Sequence, residues 1–192
     1  IYTSVNTLSL HDALPIFVHQ DLLNACKKGD SKAQMKIYQL YYKPMYHVSL
    51  RILGDSMEAE DVMQESFLVA FKNISTVEIN TGFGGWLKKI VINRSLDALR
   101  KKKNNVELMA EIPDDVSSDQ TYELEEVSTE ENVTRIRRAL DRLPEKYRII
   151  LSLSLFEGYD HEEIGQILGV TPSTSRAQLS RGKQKLLQLI AG

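Results

Sequence analysis

The residues of this 192-residue chain that could do chemistry fall into three sets, and the chemistry is recognition of charge or of base edges. The first set is Thr171, Ser173, Thr174, Arg176, Ala177, Ser180 and Arg181, followed by Lys183 and Lys185 with no acid among them. An arginine in the early turns of such a helix can donate two parallel hydrogen bonds to one guanine, while hydroxyls and cations around it hold phosphates. The second set is Phe83, Trp86, Lys88, Lys89, Asn93, Arg94, Asp97 and Arg100. Rings, an amide that donates and accepts at once, and cations are what holding an unstacked base requires. The third set is Glu58, Asp61 and Glu65, three and four residues apart near one helix face, with Gln64 adding directional hydrogen bonds. Such a face can pair with a basic partner helix. The chain carries no catalytic constellation. His47 and His161 lack metal partners at suitable spacing, and the lone Cys26 gives neither an internal disulfide nor a metal cluster. No metal and no cofactor is expected.

Helices must position all three sets. Asp160 can cap a helix, with Glu163 where a capping-box partner belongs. Ile164, Ile167 and Leu168 fall on one face at helical spacing. Gly165 leaves room for a second helix to cross close above it. Gly169 suits the left-handed position that ends a helix. Thr171 then caps the next helix, with Pro172 at its first position, where no backbone donor is lost. This pattern is a helix-turn-helix with a basic second helix, which reads DNA. The plainer alternative is two packed helices with a solvated basic face. Upstream, Asp21 to Lys28 reads as a short helix ended by Gly29. Ser31 to Leu53 reads as a long one with Ile37, Leu40, Tyr41, Met45, Val48 and Ile52 as its apolar stripe, kinked or restarted at Pro44. Gly54-Asp55-Ser56 is a stop and a cap. Met57 to Asn73 and Phe83 to Lys103 are further helices, and Ile74 to Thr81 is a loop. Asn132 to Arg142, Glu145 to Phe156, and the helices after Asp160 and from Pro172 form a second bundle. No alternating strand pattern is long enough to count, so the class is all-α.

The formal charge of -2 hides three blocks. Trp86 to Lys103 is basic, with Asp97 its one acid. Asn104 to Thr134 holds no lysine or arginine but carries Glu107, Glu111, Asp114, Asp115, Asp119, Glu123, Glu125, Glu126, Glu130 and Glu131. The C-terminus is basic again. The acidic stretch, poor in aromatics, is expected to be a flexible linker over residues 104–131 between domains 17–103 and 132–192. No apolar run approaches membrane-spanning length and no signal peptide is evident, so a cytoplasmic location is expected.

After these residues a resemblance can be stated. Phe17 to Ile190 resembles a bacterial sigma factor of the sigma-70 family, in its small extracytoplasmic-function group. Three motifs carry it. They are Gly54-Asp55-Ser56-Met57-Glu58-Ala59-Glu60-Asp61-Val62-Met63-Gln64-Glu65-Ser66-Phe67; Phe83-Gly84-Gly85-Trp86-Leu87 with Ile90, Asn93, Asp97 and Arg100; and Leu143-Pro144 through Tyr147-Arg148 to Leu186. The resemblance implies that Glu58, Asp61, Gln64 and Glu65 bind core RNA polymerase at its β′ coiled coil. It implies that Phe83, Trp86, Lys89, Asn93, Arg94, Asp97 and Arg100 open and read the minus-ten box. It places Thr171, Ser173, Thr174, Arg176, Ala177, Ser180 and Arg181 at the minus-thirty-five box, with Arg176 reading bases and Ser180 and Arg181 reaching phosphates. The implied partners are core polymerase, through the β′ coiled coil and β flap, and promoter DNA, with no membrane contact of the chain's own. Relatives are often held by an anti-sigma protein, which leaves such a partner open here. The acidic linker would line the polymerase's channels, or serve as a solubilising tether.

Several residues keep two readings. The acids of the first motif also suit a solvated face. Trp86 suits the core and the DNA border equally, Phe83 suits the core better than a base platform, and Arg181 and Lys183 suit plain solvent exposure. The pattern also departs from the family in places. Gly84 and Gly85 stand where relatives carry larger or polar residues, and suggest a mobile helix end. Ser175 and Gln178 replace a commonly apolar and a commonly basic residue. Two rival functions remain: a helix-turn-helix regulator acting without polymerase, and a nucleic-acid enzyme with a DNA-binding tail. The first needs neither the Trp86 motif nor an acidic docking helix. The second needs clustered acids or a metal site, and these acids lack the context of one.

Ile1 to Ile16 fit nothing downstream. Thr7-Leu8-Ser9-Leu10-His11-Asp12-Ala13-Leu14-Pro15-Ile16 resembles the translation of a short-read sequencing adapter, as does Ile1-Tyr2-Thr3 before it. The segment is read as a scar and left out of the fold, with the natural sequence expected to start at or near Phe17 and its initiator Met missing. Deleting Ile1 to Ile16 should leave melting temperature and activity unchanged; a clear drop in either would mean the segment belongs to the protein.

Overall fold

A computed structural model describes residues 20–76, 82–102 and 129–191. The expected scar at Ile1 to Ile16, Lys103 and nearly all of the acidic linker lie outside these residues. Every described element is helical, and the chain is all-α, in two compact units that divide after Asn104.

In the first unit, α1 (Gln20–Lys27) ends at left-handed Gly29. Asp30 then accepts hydrogen bonds from the backbone of Lys32 at 2.8 Å and Ala33 at 3.2 Å, which starts α2 (Ser31–Leu53). Pro44 neither ends nor restarts α2. Its missing N–H costs one bond to the Leu40 carbonyl, and buried Tyr41, Met45 and Val48 on either side hold the helix through it. Leu40, expected in the apolar stripe, is exposed. The buried set Ile37, Tyr41, Met45, Val48, Ile52 steps by three or four residues, and Leu40 falls off that line. The Gly54 N–H caps α2 on the Leu50 carbonyl at 2.8 Å, and Asp55 caps α3 (Ser56–Lys72) through the Glu58 N–H at 2.9 Å. A short 3-10 turn (Ile74–Thr76) buries Ile74, and α4 (Phe83–Lys102) follows. The helices α2, α3 and α4 pack on one another around Ile37, Met45, Ile52, Phe67, Leu87 and Ile92.

The second unit comprises α5 (Thr129–Arg142), α6 (Glu145–Leu151), α7 (His161–Leu168) and α8 (Pro172–Ala191), with α8 packed on the other three. The helix expected to run to Phe156 instead widens after Leu151 into a π-helical segment, Ser152–Phe156. The wider turn keeps Leu151 and Leu153 fully buried while Leu155 and Phe156 face out, and it runs into left-handed Gly158. Gly182 brings α8 close over α6, since a Cβ there would stand 3.4 Å from Leu151 and Tyr147. Gly165 matters for a different neighbour than the expected crossing helix. A Cβ on it would come within 2.7 Å of the Val170 carbonyl oxygen, in the turn itself.

Backbone cannot yield as a flexible side chain does. Gly165→Ala should therefore destabilise the second unit by ~1–3 kcal/mol, as overpacking does, despite the ~1 kcal/mol by which alanine favours a helix. Thermal unfolding followed by circular dichroism checks this, and an equal or higher melting temperature would contradict it.

Candidate nucleic-acid and partner interfaces

The outward side of α3 carries the acidic set. Asp61, Gln64 and Glu65 are exposed and Glu58 is half-buried. Gln64 Nε2 donates to Glu60 Oε1 at 3.2 Å. Two of the acids are not simply solvated. Glu58 accepts an ion pair from Lys102 Nζ at 2.6 Å, and Glu65 pairs with Arg94. Sequence reasoning missed Met57 and Leu68, which are 78% and 70% exposed on the same helix. Their signal was present: Met57, Asp61, Gln64 and Leu68 step by four, three and four residues, the spacing of one helix face.

The helix α4 divides into two faces. Phe83, Leu87, Val91, Ile92, Ser95, Leu96 and Leu99 are buried. Phe83 packs edge-on against Tyr41, ring centroids 5.3 Å apart, and lies 5.8 Å from Trp86. It is a core residue that supports Trp86, which is half-exposed. Lys89, Asn93, Asp97 and Arg100 are exposed. With Trp86 they step by three and four residues, so five of the sequence-expected minus-ten residues share one outward stripe. Arg100 Nη1 binds Asp97 at 3.0 Å within that stripe. Arg94 lies beside it, turned toward α3. Lys88 is a correction to the basic block: it is buried and cannot face a phosphate. Gly84 and Gly85 are both inside the helix, and a Cβ on Gly84 would reach 3.0 Å from Tyr41 Cε1, so a larger residue there would press on the ring.

In the second unit the helix-turn-helix is built as its residues predict. Asp160 accepts from the Glu163 N–H at 2.8 Å, and Glu163 Oε2 accepts from the Asp160 N–H at 3.0 Å. Gly169 is left-handed at φ 73°. Thr171 Oγ1 accepts from the Thr174 N–H at 3.1 Å, and the two hydroxyls meet at 2.9 Å. Thr171 and Thr174 are thus partly engaged in capping α8. Ser173, Arg176, Ala177, Ser180 and Arg181 are exposed, while Ser175, Leu179 and Gly182 form the inner face. Ser175 has a partner that sequence reasoning missed: His161 Nδ1 lies 2.9 Å from its hydroxyl. A buried serine and a histidine fourteen residues apart carry no local signal of each other. Tyr159, just before α7, has its phenol pushed up to about 12 by burial and then by Glu157 and Glu163.

Comparison with known proteins follows the same division. Residues 37–105 match the family described as Sigma-70 region 2, and residues 134–186 match Sigma-70, region 4. The ECF RNA polymerase sigma factor SigW of Bacillus subtilis is 33% identical over 168 residues, 83% of this chain and 90% of the relative. The chain belongs to the sigma-70 family of RNA polymerase sigma factors, in its extracytoplasmic-function (ECF) group. SigE of Mycolicibacterium smegmatis, also an ECF sigma factor, is 32% identical over 77% of this chain and 57% of the relative. Among solved structures, the sigma factor RpoE of Bartonella quintana, in complex with the anti-sigma factor NepR, superposes with TM-score 0.55 at 18% identity, over 81% of this chain and 95% of that one. CnrH, in complex with the cytosolic domain of CnrY, gives 0.52 at 16% identity, over 88% and 95%. These two likenesses concern the fold. As a sigma factor the protein serves transcription initiation by RNA polymerase at promoters. Among the described residues, no helix is long and apolar enough to cross a membrane.

Proposed function

We propose that this sigma factor divides its work among three helix faces and makes no bonds itself. Residues 17–103 act as region two, residues 132–192 as region four, and the acidic stretch 104–131, whose end from Thr129 already belongs to α5, as the tether between them. The outward side of α3 docks on the β′ coiled coil through Glu58, Asp61, Gln64 and Glu65, with Met57 and Leu68 as apolar anchors beside the charges. The α4 stripe holds the opened minus-ten strand. Trp86 stacks at the edge of the bubble with Phe83 behind it. Asn93 binds an exposed base edge, and Lys89, Arg94 and Arg100 hold phosphates, with Asp97 orienting Arg100. In α8, Arg176 reads a base pair of the minus-thirty-five box with Ser173, Thr174 and Ala177 around it. Ser180 and Arg181 reach phosphates, and Thr171 at the helix start places backbone donors near another. The protein acts in the cytoplasm, where the polymerase is, and region four meets the β flap. An anti-sigma factor is a further partner, as RpoE has in NepR.

The observation that supports this reading best is the division of α4: a mainly apolar inner side, and an outer stripe of an indole, an amide and cations. A helix that only held a bundle together would have no use for an indole left half in solvent. The docking face is tested by Asp61→Ala with Gln64→Ala, neither residue being ion-paired among those described. Affinity for core polymerase should fall on the order of tenfold, in the range that lost interfacial charges cost, with the melting temperature kept. Unchanged affinity would reject this surface.

The recognition helix gives a sharper contrast. Arg176→Ala should relax base choice at one position of the minus-thirty-five box, costing about 1–3 kcal/mol there and little elsewhere. Arg181→Ala should weaken all promoters alike and lower the salt slope by about one. Selection of a promoter library with each variant separates the two, and an exchange of these outcomes would mean that α8 sits in the groove in another register.

A further inference from the structure

Carboxylates of α3 hold two cations of α4. Arg94 Nη2 pairs with Glu65, and Lys102 Nζ with Glu58 at 2.6 Å. The partners are 29 and 44 residues apart, so both pairs exist only because the helices are packed side by side. The Asp97–Arg100 pair differs in kind, being internal to α4. The acids of the two cross-helix pairs are those proposed to meet a basic partner helix. Arg94 is a cation proposed to meet the DNA. A carboxylate that neutralises a guanidinium offers less charge to a basic helix, and the guanidinium offers less to a phosphate.

The pair is also weak enough to exchange. The Arg94 and Glu65 side chains are 36% and 59% exposed, and pairs so exposed shift an equilibrium by only about fivefold at most. Arg94 spends one terminal nitrogen on Glu65, and its buried Nε has no acceptor. The two-pronged donation that suits arginine to phosphate is therefore unspent.

We infer that the Glu65–Arg94 pair couples polymerase docking to DNA binding, an inference that rests on the two faces proposed above. In the chain off polymerase, Glu65 keeps Arg94 turned to α3 and weakens the DNA face. A basic helix arriving on α3 takes up Glu65 and releases Arg94 to a phosphate. Glu58 and Lys102 form a second pair of the same kind farther along the seam. Linkage makes the effect reciprocal, so bound DNA tightens docking by the same factor.

The test measures binding of a fluorescent DNA fork, duplex on one side and single-stranded on the other, by the full chain with and without saturating core polymerase. Arg94→Gln should weaken fork binding about three- to fivefold more in the holoenzyme than in the free chain, the range of one exposed pair. Glu65→Gln should strengthen binding by the free chain about threefold beyond Asp61→Asn, and adding Arg94→Gln should abolish that excess. Asp61→Asn removes the same charge from the same helix at a residue with no ion pair among those described, so it measures the bulk electrostatic gain alone. Equal Arg94→Gln penalties with and without core, or equal gains from the two acid variants, would overturn the coupling and leave the proposed faces standing. Absence of any Arg94→Gln penalty in both states would remove Arg94 from the DNA face and take the inference with it. Thermal melts of each variant separate these outcomes from loss of fold.

Discussion

Ser49 and Ser95 are wholly buried, and their hydroxyls meet at 3.0 Å in the seam between α2 and α4. Ser95 spends its own proton on the Val91 carbonyl at 2.8 Å, so Ser49 is the donor across the seam. Small side chains let two helices approach closely, and a buried hydroxyl pair is satisfied only in one alignment. The roll of α4 is pinned there. With Leu87, Val91, Ser95 and Leu96 held inside, Trp86, Lys89, Asn93, Asp97 and Arg100 have to lie outside. A turn of the helix by one residue would bury a charge and expose a leucine, and both changes are unfavourable. The outward stripe is thus a consequence of the core.

The second unit solves the same problem with glycine. Gly165 lets the turn backbone close onto α7, and Gly182 lets α8 lie over Leu151 and Tyr147. Where α8 meets α7 one contact is polar: His161 reaches Ser175, the one buried side chain in the first two turns of α8. Hydrogen bonds are more directional than apolar contacts. This one favours a single rotation of α8 against α7, α8 being the helix that carries Ser173, Arg176 and Ala177 on its outer side. Serine at 175 exchanges some apolar burial for a defined angle.

Features that act within four residues were legible in the sequence. The box at Asp160 and Glu163, the left-handed Gly169, the cap at Thr171 and the period of the α3 and α4 faces all rest on local chemistry. Departures arose where distant packing overrode a local rule. Pro44 should break a helix, yet α2 runs through it because its neighbours are buried on both sides. Leu40 is apolar but off the line of its stripe. Lys88 follows Leu87 in a basic run, and burial removes it from the charged surface. The widened turn after Leu151 reconciles two buried leucines with the coming Gly158, which no window of residue types encodes. The pairing of Glu65 with Arg94 and of Glu58 with Lys102 depends on two helices meeting, so the sequence presents four surface charges and no hint that they answer one another.

Pairing alters what the charge count means. The cations of α4 are Lys88, Lys89, Arg94, Arg100, Lys101 and Lys102. Lys88 is buried, and Arg94, Arg100 and Lys102 each hold a carboxylate. Affinity for a polyanion grows with the number of phosphates neutralised, each releasing bound counterions. A helix that looks strongly basic in sequence therefore offers less net charge to a polyanion in the folded chain. Modest affinity is an advantage where specificity must come from elsewhere. Non-specific attraction that is too strong would hold the protein on any DNA, since random sites outnumber promoters by orders of magnitude. On the proposed reading, cations partly answered by the chain's own acids leave the α4 face less to gain from arbitrary duplex. What remains on that reading, an indole and an amide backed by a rigid core, gains most from a strand that is already open.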